Sequence, residues 1–352
     1  MCRKRVGVIF GGRSAEHEIS LKSAATVAEA LNSDKFVPVY IGITKKGVWK
    51  TFSGDAKQIE SGEWERYAEE TAINDLKSQI DFALPILHGP YGEDGCIQGM
   101  LELMGIPYGG CGVLASAAAM DKQLFKEVLR YRGLPVCRSL LVDGQSADDG
   151  DGAADAAEMI EEELGLPCFI KPANMGSSVG ITKAQDRKAL EDAIKKAALY
   201  DRRIIAEEFV PCRELEIAVL GGKNAEVSTV GEIIPSKDFY DYTAKYSEQE
   251  SPSRLVIPAD ISEEDRKEIR RIALEAYRAI DGYGFCRADF FKDRKTGKIY
   301  INEINTIPGF TAGSMFPLLW EAGGRGLPEI IERIIDLGYE RYYAENNRQT
   351  EI

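Results

Sequence analysis

Arg287, Asp289, Glu303 and Asn305 are the residues of this chain whose types and spacing most directly suggest chemistry. They fall in the runs Cys-Arg-Ala-Asp-Phe-Phe, from Cys286, and Ile-Tyr-Ile-Asn-Glu-Ile-Asn, ending at Asn305. On a strand, residues two apart share a face, so Arg287 projects with Asp289, and Glu303 with Asn305. The intervening Lys-Asp-Arg-Lys-Thr-Gly-Lys, 292–298, reads as a hairpin connection that returns Glu303 opposite Asp289 to within about a residue of register. Two carboxylates and an amide oxygen, with no nearby His or Cys, suit a hard cation such as Mg²⁺ rather than zinc. Because Mg²⁺ is usually completed by substrate phosphates, the cluster predicts a nucleotide.

Phosphate and base contacts have candidates upstream. In Lys171-Pro-Ala-Asn-Met-Gly-Ser-Ser-Val-Gly180 a lysine at a strand end precedes a small flexible turn. Its backbone N–H groups, with Ser177 and Ser178, could cover phosphates beside the Lys171 charge. The loop is not a Walker A sequence, and an ordinary hairpin turn would have the same composition. Glu207-Glu208-Phe-Val210 ends a further strand, where the backbone at Glu208 and Val210 suits a purine edge and Glu214 suits ribose hydroxyls; alone, each glutamate is also a solvated strand end.

Two glycine-rich turns follow strands of the first third. Gly11-Gly-Arg-Ser-Ala-Glu-His-Glu18 opens a helix where open α/β sheets bind ligands, although it lacks the Gly-x-Gly-x-x-Gly fingerprint. Glu16 there either complements the helix dipole or meets a substrate ammonium group. His88-Gly-Pro-Tyr-Gly-Glu-Asp-Gly95 holds the second of only two histidines, which leaves a Ser-His-Asp mechanism at Ser177 little support. Asp238 to Tyr246 is an aromatic, charged stretch in a long loop, with the spacing of a lid, and Pro308-Gly309 to Ser314-Met315 offers backbone N–H groups beside the cation cluster.

The elements that must position these residues set a fold class. At 352 residues the chain exceeds one typical core, and we divide it at 1–118, 119–212 and 213–352. The first part alternates strand (Arg5 to Phe10), helix (to about Leu31) and strands (Val37 to Ile43, Phe82 to Leu87), which argues a parallel α/β sheet. Trp49 to Asp75 reads as a surface insertion, and Asp143 to Ala157 as an exposed acidic linker. Asp121 is placed to cap a helix running to about Arg132 and ended by Gly133 and Pro135. Strands are expected at Cys168 to Lys171, Val179 to Lys183 and Arg203 to Glu207, with an antiparallel pair at Leu215 to Leu220 and Ala225 to Ile233.

Composition narrows the class of partner. A net charge of -13, with Lys and Arg dispersed among more numerous acids, argues against nucleic-acid binding. No run suits a membrane span, and the basic start is followed by an apolar run too short for a signal peptide. Seven scattered cysteines without C-x-x-C fit a reducing, cytoplasmic setting.

Taken in order, these motifs, with Met120-Asp-Lys122, Arg213-Glu-Leu-Glu216 and Tyr240-Asp-Tyr-Thr-Ala-Lys-Tyr246, make the chain resemble the D-alanine–D-alanine ligases of the ATP-grasp superfamily over nearly its full length. The resemblance implies an N-terminal parallel α/β domain followed by a two-domain α+β ATP-grasp fold. It implies that ATP phosphorylates one D-alanine and that the amine of a second displaces phosphate, giving a dipeptide for peptidoglycan. Lys122, Lys171 and Ser178 would then hold phosphates, Glu207 the adenine amine and Glu214 the ribose. Asp289, Glu303 and Asn305 would hold two Mg²⁺ ions, with Mn²⁺ as a substitute. Glu16, with Ser177 and Tyr246, would bind the first D-alanine, whose carboxylate lies near His88. Arg287 and the Gly309 N–H would stabilise the tetrahedral intermediate, Lys245 the transferred phosphate, and Ser314 with Met315 the second carboxylate. The Tyr-x-Ala-Lys-Tyr form favours a second D-alanine over D-serine or D-lactate. A homodimer is also implied; the rival is another ATP-grasp carboxylate–amine ligase.

Overall fold

A computed structural model describes residues 3–145, 151–176, 179–235 and 253–347. Ser177, Ser178, Lys245 and Tyr246, and with them the expected lid, lie outside the described residues. The strands are β1 (Lys4–Gly11), β2 (Phe36–Ile43), β3 (Trp49–Phe52), β4 (Glu69–Glu70), β5 (Phe82–Ile86), β6 (Ser139–Asp143), β7 (Cys168–Pro172), β8 (Thr182–Ala184), β9 (Arg203–Glu208), β10 (Cys212–Gly221), β11 (Glu226–Ile234), β12 (Arg254–Val256), β13 (Gly284–Asp293) and β14 (Ile299–Asn305). They form three sheets, ordered β4-β3-β2-β1-β5, β6-β9-β7-β8 and β12-β11-β10-β13-β14.

In the first sheet β1 pairs in parallel with both β2 and β5, as the alternating apolar runs require. Strand β1 is buried from Val6 to Phe10, and the helix His17–Ala30 covers one face with Leu21, Ala24 and Val27. The segment expected to be a surface insertion instead extends this sheet, with β3 antiparallel to β2 and β4 antiparallel to β3. Trp64 is the reason: it is 1% exposed, meets Phe10 edge-on at 5.0 Å and fills the space over Gly42. A Cβ at Gly42 would stand 2.1 Å from the Trp64 ring, so the two positions are sized for each other.

The second and third sheets are antiparallel. The supposed linker is shorter than expected: Asp143 closes β6, and the helix before β7 starts at Gly152 rather than Ala157. Strand β8 begins at Thr182, later than the apolar pattern suggested. Asp121 caps the helix Lys122–Tyr131 as expected, its carboxylate accepting the Leu124 N–H at 2.9 Å. That carboxylate also meets Arg203 of β9 at 2.7 Å, which ties the helix start to the second sheet.

The C-terminal helix Leu327–Asn346 returns to the first sheet, where Tyr339 packs on Phe82 at 5.0 Å between ring centroids. Among the described residues no helix is long and apolar enough to cross a membrane, and the described cysteines are free thiols, mostly buried, with Cys96 exposed. Trp64→Ala should lower the unfolding free energy by roughly 3–5 kcal/mol, the usual cost of deleting a buried aromatic ring. Urea unfolding measures it, and a loss below about 1 kcal/mol would return the segment to the surface.

Candidate active site

A cleft of about 1110 Å³ opens between the second and third sheets and reaches the first. Its floor is the hairpin of β13 and β14, whose register sets Asp289 opposite Glu303 and Arg287 opposite Asn305. The expected cation cluster is therefore one face of a real hairpin, although Lys292 and Asp293 belong to β13 rather than to the turn. One feature of that face was not foreseen. The register shifts after Asp289, so that Phe290 pairs with Ile301 and Asn302 is an extra residue. Without this bulge Ile301 and Glu303 would share a face; with it Ile301 and Ile304 enter the core while Glu303 and Asn305 line the cleft.

Lys126 stabilises the bulge. The residue is wholly buried on the helix Lys122–Tyr131, one turn after Lys122, and its Nζ donates to the Asn302 carbonyl at 3.1 Å. The same ammonium lies 3.0 Å from Glu207 Oε1, while Lys171 grips the other oxygen of Glu207. Burial alone would raise the Glu207 pKa, but Lys126 and then Lys171 outweigh it and hold the carboxyl at about 2. Lys126 was missed in the sequence because a lysine four residues after another on a helix looks like a solvated face.

The remaining residues fall around this floor. Lys122 Nζ donates to the Met175 carbonyl of the small loop at 2.7 Å and lies 3.8 Å from Glu303. Glu208 turns its carboxylate to Arg138, at 2.8 Å from both N and Nε, so only its backbone is available to a purine. Val210, Glu214, Gly309, Ser314 and Met315 line the same cleft. Glu16 reaches in from the first sheet, where its Oε2 abuts both Gly89 and Gly176; a Cβ would come within 2.7 Å and 2.6 Å of it. Every described residue singled out from the sequence thus lines one cleft.

Electrostatics refine two of them. Arg287 donates to both oxygens of Asp289 at 2.7 Å, and its Nε lies 2.9 Å from Glu216. Burial opposes its charge, yet Asp289 and Glu216 hold the guanidinium protonated. Glu216 closes the Arg213-Glu-Leu-Glu216 motif, whose spacing by itself suggests no role for it. His88 is buried, with Nδ1 on the Ile307 carbonyl at 2.9 Å and Nε2 on Ser23 Oγ at 3.1 Å. Ser23 Oγ also accepts the Phe310 N–H at 3.2 Å, so this pair brackets Gly309. Burial pushes the imidazole pKa down, and neutral His88 acts through position rather than charge.

The donor set fits a divalent cation completed from outside the protein. Among the described residues no group of three or more His, Cys, Asp or Glu is arranged to cage a metal by itself. Two opposed carboxylates and Asn305 at an open cleft provide the partial shell that Mg²⁺ accepts when phosphates supply the rest.

A nucleotide-sized cleft between two antiparallel sheets, lined by buried lysines and floored by a carboxylate hairpin, defines the ATP-grasp class of ligases. The sequence matches the family descriptions "D-ala D-ala ligase N-terminus" over residues 5–111 and "D-ala D-ala ligase C-terminus" over residues 128–336. It is 46% identical to a D-alanine–D-alanine ligase of Acetivibrio thermocellus, covering 97% of each chain, and 44% identical to one of Bacillus pumilus, covering 98% of each. Its fold superposes on the VanG D-Ala:D-Ser ligase of Enterococcus faecalis with TM-score 0.86 and 36% identity, covering 96% of this chain and 100% of that one. For the D-alanine–D-alanine ligase of Coxiella burnetii the values are 0.84, 31%, 98% and 96%. The chain belongs to the D-alanine–D-alanine ligase family and is an ATP-dependent, ADP-forming enzyme.

Glu93, from the His88 motif, accepts the Gly89 N–H at 2.9 Å; burial, and next the negative charge of Glu16, push its carboxyl up to about 8. A raised carboxyl pKa means the folded state holds a proton that the unfolded state has lost. Between the unfolded value, ~4.3, and about 8, its contribution to stability should fall as pH rises. Glu93→Gln should remove a slope of roughly 1.4 kcal/mol per pH unit over that window. Urea unfolding of both proteins from pH 5 to 8 without nucleotide reads the difference, and parallel curves would show that Glu93 is not the group.

Proposed function

We propose that the cleft binds ATP between the second and third sheets and joins two D-alanines into D-alanyl-D-alanine for peptidoglycan synthesis. The observation carrying this reading is the convergence of Glu16, Lys122, Lys171, Arg287, Asp289, Glu303 and Gly309 on one cleft. In the first step the carboxylate of one D-alanine attacks the terminal phosphorus of ATP, giving an acyl phosphate and ADP. In the second, the amine of the other D-alanine adds to the acyl carbon, and the tetrahedral intermediate expels phosphate as the peptide bond forms.

The side chains divide these tasks. Lys122 and Lys171 balance phosphate charge, together with Ser178. The backbone of Glu208 and Val210 meets the purine edge, and Glu214 the ribose. Glu207 already holds Lys126 and Lys171, so an adenine amine would be a further partner on the lone pairs of that carboxylate. Glu16, with Ser177 and Tyr246, takes the ammonium end of the first D-alanine. Arg287 and the Gly309 N–H face the oxyanion, a preorganised pair whose loop is fixed by His88 and Ser23. Lys245 serves the transferred phosphate, and Ser314 with Met315 the second carboxylate. Asp289, Glu303 and Asn305 would hold two Mg²⁺ ions, replaceable by Mn²⁺, which when bound neutralise phosphate charge and align the transfer.

Of the division at 118 and 212, the second boundary is supported by the sheets, since β9 ends at Glu208 and β10 begins at Cys212, whereas 118 falls within the helix Val113–Met120. A homodimer is carried over from the family and is checked by sedimentation. A cytoplasmic setting is supported by the ATP requirement and the free thiols.

The second reading is a D-alanyl-D-serine ligase, favoured by the VanG neighbour. Phosphate release with ATP, Mg²⁺ and D-alanine, D-serine or D-lactate, singly and in pairs, separates the two. D-alanine alone should give dipeptide; its failure to do so, with product only when D-serine is added, would exchange the readings. Arg287→Ala should retain ATP binding and lower turnover by about 10²-fold or more, the cost of losing one oxyanion donor. Turnover at the wild-type rate would remove Arg287 from the second step.

A further inference from the structure

Asp289 has three claimants: Arg287, the Asn305 Nδ2, which donates to its Oδ2 at 2.9 Å, and a cation in the cleft. Arg287 uses both of its oxygens, at 2.7 Å each, and these are the oxygens that a cation in the cleft would also need. A guanidinium and a divalent cation cannot share that carboxylate at full strength, because each is attracted by the same charge and repels the other. Something must retain Arg287 when the cation binds.

The third sheet supplies it. Glu216 on β10 is the cross-strand partner of Asp289 on β13, which is in turn the partner of Glu303 on β14. The three carboxylates therefore form a row across adjacent strands. Like charges side by side in a sheet destabilise it unless cations intervene. Arg287 intervenes between the first two, with Nε 2.9 Å from Glu216 Oε2, while Lys122 lies 3.8 Å from the third. Glu216 is 6% exposed, which keeps this attraction from being screened by water.

We infer that Glu216 is a positioning residue: it keeps Arg287 aimed into the cleft when Asp289 turns to the cation, and so lowers the competition between guanidinium and cation. This rests on the assignment of Asp289 to the cation. Without Glu216, Asp289 is the one carboxylate left in contact with Arg287 among the described residues, and the cation must displace the guanidinium from it.

The experiment is Mn²⁺ binding in the presence of a non-hydrolysable ATP analogue, followed by the electron paramagnetic resonance of free Mn²⁺. Glu216→Gln, which preserves the shape of the side chain, should weaken Mn²⁺ about tenfold or more, the usual effect of losing an outer partner of a metal ligand. In an Arg287→Ala background the competitor is absent, and the same change should alter Mn²⁺ affinity by less than about threefold. Equal loss in both backgrounds would make Glu216 a direct ligand or a bare field and overturn the inference, as would undiminished affinity in Glu216→Gln. Failure of the unaltered enzyme to bind Mn²⁺ would instead overturn the cation assignment. Glu216→Asp, which restores the charge, should recover part of the affinity, and thermal unfolding of each variant separates loss of binding from loss of fold.

Discussion

One ammonium group, that of Lys126, joins the helix and two sheets that make the cleft. It is withdrawn from water, so its charge must be met inside the protein, and Glu207 of β9 and the Asn302 carbonyl of β14 meet it from two different sheets. Removing Glu207 would leave two buried ammonium groups without their carboxylate, which is far more costly than losing a surface pair. The bulge at Asn302 survives because its carbonyl has this donor. Glu303 faces the cleft because the bulge survives.

The same accounting extends outward. Glu207 stays ionised in a dry place because two lysines face it, and that pair of lysines leaves the wall beneath the proposed nucleotide positive. Beside it the carboxylate row of Glu216, Asp289 and Glu303 supplies the opposite sign, moderated by Arg287 and Lys122. An anionic triphosphate and a divalent cation complement the two sets of charges. Such a site is arranged before its ligands arrive, and preorganised charge is the main resource a phosphoryl-transfer enzyme has.

Gly309 shows how a backbone donor is placed without any charge. Its loop is bracketed by the Ile307 carbonyl on His88 and the Phe310 N–H on Ser23, both contributed by the first sheet and its helix. The first sheet is therefore more than a platform for Glu16. It sets the position of an N–H group that belongs, in sequence, to the far end of the chain.

Local pattern was enough for the strands that carry the site, because period-two burial with a ligand on alternate positions is a property of a few consecutive residues; Arg287 with Asp289 is the clearest case. The Asp121 cap was legible for the same reason. The ordered set of motifs also determined the family and the reaction. Tertiary structure decided what depends on neighbours distant in sequence. Trp64 belongs to a core only because Gly42 and Phe10 leave room for it. Asn302 is the extra residue between the Asp289–Glu303 and Phe290–Ile301 pairs, and its carbonyl finds a donor because the helix carrying Lys126 packs there. Lys126, Glu216 and Glu93 look like ordinary solvated charges until folding removes their water, and a charge acquires a function of this kind only when its partners and its burial are both fixed.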